Sequence, residues 1–211
     1  MGVCTCVQSV TRSPLTNIAM SKIDTGNDFN VPKMESSVSH KTSFENILLN
    51  EINIVRSSPY EYSNKLQKPC ERIKKENNTY FFVYSEQEKI ILQKGVTTFN
   101  DTIALLRTIH PMCKLQWNNE LKVNMSNVDK KVSSIGNLIM EKKTELLAKY
   151  QNIIFNLDIF SEPVLSVIFQ VTDEAFNLQR RNAILNPKFK MFAVGYTYDY
   201  NNKFISISTL A

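Results

Sequence analysis

The chain has 211 residues, and 43% of them are hydrophobic. That is enough for one domain of ordinary size plus a tail, and too apolar for general disorder. Lys and Arg exceed Asp and Glu by 25 to 20, but the signs are interspersed, as in Glu141-Lys142-Lys143-Thr144-Glu145, which describes a solvated mixed-charge surface and argues against a nucleic-acid stripe. No apolar run approaches the ~18 residues that cross a bilayer.

Residues 1–41 hold scattered Ser, Thr, Asn, Gly and Pro without helical or strand period, and read as a flexible arm. They open with Met1-Gly2-Val3-Cys4-Thr5-Cys6. Gly2 is placed to accept myristate, with Cys4 and Cys6 placed for palmitate. One myristoyl chain binds membranes only marginally, so palmitate would supply the second signal. Cys6 stands where Ser or Thr is usual in the myristoylation pattern. The N-terminus lacks an apolar signal core, so the expected location is cytoplasmic and peripheral to a membrane. In such a compartment thiols stay free, and no CxxC pair accompanies Cys70 and Cys113. With His40 and His110 as the only imidazoles, neither a zinc site nor any other cofactor is expected.

Residues 42–211 are expected to form the folded domain. A helix is predicted from Thr42, which has capping-box spacing to Glu45, with Phe44, Ile47, Leu48, Ile52 and Val55 on its apolar stripe. Pro59 interrupts the stripe, and Tyr60, Tyr62 and Leu66 continue as a second short turn or helix. The charged run Lys68–Asn78 reads as a loop, and Tyr80–Tyr84 as a short strand or a buried extended segment. A helix is predicted over Leu92–Ile109, tolerating Gly95 at about 1 kcal/mol. Leu115 and Trp117 precede a predicted helix with Leu121, Met125, Val128 and Val132 on one face, and Asn137–Tyr150 is a further helical run. The period then changes to two, placing Ile153, Phe155, Leu157 and Ile159 on one face of a strand. Glu162-Pro163 opens another helix. After the Gln179–Lys190 junction, Phe192, Val194, Tyr196 and Tyr198 alternate in a strand. A turn at Asn201-Asn202 and a last strand over Phe204–Leu210 complete a hairpin. This order describes an α+β fold.

Several short motifs occur in a recognisable order: Leu49-Asn50-Glu51-Ile52-Asn53 with Arg56 and Pro59, then Gly95–Leu106, Leu115 with Trp117, Ile184–Phe189, and Val194-Gly195. Over residues 43–211 the chain resembles the CAP superfamily, also called the SCP domain. The resemblance implies a three-layer α-β-α sandwich with a central, mainly antiparallel sheet. It also implies a cleft where relatives set two histidines and two acids able to hold a divalent metal. Carried over by position, the first histidine falls at Val128, which the apolar stripe independently makes a core residue. The first acid becomes Gln151, within Tyr150-Gln151-Asn152-Ile153. The second acid falls at Asp173 and the second histidine at Arg180. Val, Gln and Arg provide neither a base near working pH nor metal ligands. A carboxylate beside an arginine is expected to be an ion pair.

The expectation is therefore a non-catalytic domain with no catalytic residue and no metal, binding membrane lipids through its N-terminus or a protein partner. Arg180, Arg181, Lys188 and Lys190 are the expected basic binding surface. An alternative is a structural component of a large assembly, such as a cytoskeletal or ciliary one, with its tail ordered by protein partners. A divergent hydrolase is the third reading. Nucleic acid is not an expected partner.

Overall fold

In the computed structural model, residues 43–85, 88–125, 132–173, 178–199 and 203–211 are described, with backbone alone at 132–134. Contacts divide the chain into Met1–Ser39 and His40–Ala211, and every described residue lies in the second unit. Helix α1 (Phe44–Ser57) is capped by Ser43, whose hydroxyl accepts from the Asn46 amide at 3.3 Å. Thr42, the predicted cap, lies outside the described residues. Leu48, Ile52 and Val55 are fully buried, as the stripe requires. Pro59 opens α2 (Pro59–Lys65), fitting a first helical turn that needs no amide donor.

The next stretch departs from expectation. Lys68–Asn78 is not a loop: it forms α3 (Gln67–Glu71) and β1 (Ile73–Glu76), paired antiparallel with β2 (Thr79–Val83). Asn77 and Asn78 take positive φ angles of 46° and 64°, closing a two-residue hairpin turn. β3 (Lys89–Leu92) completes this sheet, so Leu92 belongs to a strand, and helix α4 runs only over Val96–Leu106. Gly95 is the boundary. Its φ of 62° is left-handed, and the Tyr80 ring fills the space a side chain would need.

The predicted helix through Leu121 and Met125 is also absent over the described residues. β4 (Gln116–Trp117) leads into a single 3₁₀ turn, Asn119–Leu121, and the chain then runs non-helically to Met125. Leu121, Val123 and Met125 are buried at every second position, a strand-like period. The Val123 carbonyl occupies the space where Gly195 lacks a side chain. Val128 lies outside the described residues. Helix α5 spans Val132–Leu147 and is followed by β5 (Ile154–Asp158). α6 (Pro163–Thr172) is capped by the Glu162 carboxylate, which accepts from the Val164 and Leu165 amides. α7 (Gln179–Ile184), β6 (Met191–Tyr198) and β7 (Phe204–Leu210) finish the chain.

The second sheet has the order β4-β6-β7-β5, antiparallel except for β4 beside β6, so the fold is α+β. The pairing Phe192↔Leu210 and Val194↔Ser208 puts these residues on one face. That face packs into a core with Leu48 and Ile52 of α1 and Leu165 and Ile168 of α6. Phe169 of α6 meets Phe82 and Phe99 edge-on at 5.2 and 6.3 Å, joining the small sheet and α4 to the same core. The opposite face carries Ile205 and Ile207, which pack with Val123, Met125 and Ile135. Phe155 and Leu157 lie on this side too, but Ile159 is 57% exposed. The more deeply buried side of β5 is its polar one, Asn156 and Asp158, a reversal of the periodicity reading. No helix among the described residues is long and apolar enough to cross a membrane.

Candidate functional site

The Gln179–Lys190 junction is held from below by α1. Arg56 is fully buried and points its guanidinium at main-chain carbonyls. Nε donates to Cys113 O at 2.9 Å, and one terminal nitrogen donates to Ile184 O and Asn186 O at 2.6 and 3.0 Å. The other donates to Phe189 O at 3.0 Å. The last carbonyls of α7 lack helical partners, and a planar cation with several fixed donors suits such a set. Burial pulls this guanidinium below its ordinary value. One turn earlier, Asn53 exchanges two hydrogen bonds with the Leu115 backbone, at 3.0 and 2.7 Å, in the manner of a strand neighbour. The first-helix motif thus fixes both the segment before Trp117 and the Ile184–Phe189 turn.

The turn itself follows from its residues. The Asn186 side chain accepts from the Lys188 amide at 2.9 Å, a local closure typical of Asn before Pro. Phe189 is buried beneath it. The Lys190 and Met191 amides then donate to Ala211 O at 2.9 and 3.0 Å, which ties the junction to the residue after β7.

Of the positions carried over from the resemblance, Asp173 and Arg180 meet. Asp173 ends α6 in the left-handed conformation and is fully buried. Its carboxylate accepts from Arg180 N at 2.8 Å and Arg180 Nε at 3.0 Å. Arg180 also donates to Phe169 O at 3.3 Å. The ion pair expected from the sequence is present. Gln151 is elsewhere, exposed on the lead-in to β5. Its neighbour Tyr150 accepts from the Asn118 side chain at 2.9 Å and donates to Glu120 at 3.2 Å, which ties this stretch to the residues after Trp117.

The expected basic surface needs correction. Arg180 and Arg181 are each only 7% exposed, because α7 packs both against its neighbours, Arg180 on α6 and Arg181 on α4. Arg181 donates to the Thr102 hydroxyl at 2.9 Å, while its Nε finds no partner among the described residues. Burial lowers this guanidinium against the pull of Asp173 and Asp101. Lys188 and Lys190 alone remain exposed.

Asn152, Ile153 and Ile154 face Asn186, Lys188 and Phe189 across a shallow cleft of about 240 Å³. Two motifs far apart in sequence therefore share one recess, with Lys188 at its edge. Among the described residues no group of three or more His, Cys, Asp or Glu side chains is placed to hold a metal. Cys70 and Cys113 are free thiols, and burial with nearby Glu71 pushes Cys70 up, away from the reactive thiolate. Gly2, Cys4 and Cys6 lie outside the described residues. Arg56 belongs to the first-helix motif, but the sequence carries no signal of its role, because its acceptors are carbonyls 57 to 133 residues away. Compared with known proteins, the chain matches no family model, no curated protein and no solved structure.

Proposed function

We propose that the chain is a divergent, non-catalytic CAP-superfamily domain, a three-layer α-β-α sandwich, tethered to the cytosolic face of a membrane by acylation at Gly2, Cys4 and Cys6. It serves there as a lipid- or protein-binding module. The observation that carries the non-catalytic reading is the buried Asp173–Arg180 pair. Where relatives place a histidine, this chain places a side chain that stays charged and neither ligates a metal nor moves protons. The Asp173 carboxylate beside it is spent on that arginine's amide and guanidinium. Helices on both faces of the four-stranded sheet support the sandwich, as does the way Asn53 and Arg56 join motifs of the resemblance. The recess beside Lys188 is the candidate binding surface of the junction, where Lys188 and Lys190 are exposed cations.

Metabolic labelling with myristate and palmitate tests the tether. Both labels are expected in the full chain together with pelleting on membranes, and both are expected to disappear in Gly2→Ala. Absence of label, or unchanged pelleting of Gly2→Ala, would remove the tether from this account.

A further inference from the structure

Between α6 and the sheet lies a layer of polar side chains that neither the fold motifs nor the junction uses. Asn156 and Asp158 of β5 stand directly opposite Ser208 and Ser206 of β7 on the face covered by α6. The two serines are fully buried, and Asn156 and Asp158 are only 4% and 3% exposed. Ser166 and Gln170, one turn apart on α6 and fully buried, both reach Asp158 in this layer. The Asp158 carboxylate is well supplied: it accepts from the Ser166 hydroxyl, from Gln170 Nε2 at 3.2 Å and from the Ile159 amide at 2.7 Å. Gln170 Nε2 also donates to Ser166 Oγ at 2.9 Å, so the orientation of that amide is set.

What remains is a matched set of atoms with no partner among the described residues: Asn156 Nδ2, Gln170 Oε1, Ser206 Oγ and Ser208 Oγ. One is a donor, one an acceptor, and the two hydroxyls are both. In a dry interior each would cost about a factor of ten or more in the folding equilibrium. Four together would consume much of the ~10³–10⁸ that a domain possesses. A water molecule makes about three hydrogen bonds to buried polar groups of this kind. It can accept from Asn156 and donate to Gln170 and a serine. A metal ion has no use for the Asn156 amide hydrogens.

We propose that this layer is a binding site for internal water, in which one or more bound molecules bridge Asn156, Gln170, Ser206 and Ser208 beneath α6. The site stands independently of the family reading and of the tether. Water residence in the full chain tests it. Cross-relaxation from long-lived water to the Ser206 and Ser208 amides is expected in the wild type, and its absence overturns the proposal. In Ser206→Ala with Ser208→Ala, the slow-water contribution to magnetic relaxation dispersion is expected to fall by at least one molecule, and each single substitution to raise the unfolding equilibrium constant roughly five- to tenfold. An unchanged slow-water contribution, or alanine variants that unfold less readily, would show a dry layer instead.

Discussion

Replacing Arg56 with methionine is expected to cost about 3–5 kcal/mol of stability. Methionine keeps most of the apolar stem but leaves the carbonyls of Cys113, Ile184, Asn186 and Phe189 facing a thioether. Those acceptors belong to two separate segments, so the loss should appear as one cooperative change rather than local fraying. Urea unfolding measures it as a fall in midpoint at unchanged slope. Arg56→Lys is expected to recover less than half, because a single ammonium cannot reach acceptors spread around a guanidinium plane. A loss below about 1 kcal/mol for Arg56→Met would mean that water serves these carbonyls and that Arg56 does not organise the junction.

The second large effect concerns Arg180. Arg180→Met strands a fully buried Asp173 carboxylate, an arrangement that typically costs about 3–5 kcal/mol. Asp173→Asn added to Arg180→Met should restore a good part of that loss, since Asn also tolerates the left-handed position that ends α6. Arg181→Met is the informative contrast. Its guanidinium is equally buried but has no carboxylate within ion-pair distance among the described residues. It is expected to cost less than about 1 kcal/mol or to stabilise. A double-mutant cycle on Asp173 and Arg180, beside the single Arg181 variant, separates the two arginines. Equal losses at both arginines would indicate that packing of α7, not the ion pair, fixes the junction.

The elements best read from the sequence are those whose local pattern and burial coincide. The α1 stripe, the Glu162-Pro163 start of α6 and the closing hairpin strands are of this kind. The misreadings have physical causes. Ile73–Glu76 is almost all charge, yet becomes a strand because Asn77-Asn78 can turn and Phe82 supplies the buried partner across the ladder. Gly95 falls within the helical period, but its left-handed backbone and the Tyr80 ring make it a boundary. Leu121 and Met125 fit a helical spacing, but they fit a spacing of two equally well once Val123 is included. On β5, burial follows what α6 offers, hydrogen-bond partners for Asp158, rather than hydrophobicity. The arginines are the plainest case. Arg180 and Arg181 look like surface charge in sequence, and the packing of α7 takes them inside, Arg180 against nearby Asp173 and Arg181 against distant Thr102.

The central claim is that the junction is architecture and that Gln151, Asp173 and Arg180 form no metal or proton-transfer site. Calorimetric titration of the full chain with Mn²⁺ near neutral pH tests it most directly, since manganese favours oxygen ligands over the free thiols. The expected result is no saturable heat. A saturable one-to-one binding heat that Asp173→Asn or Gln151→Ala abolishes would contradict the claim.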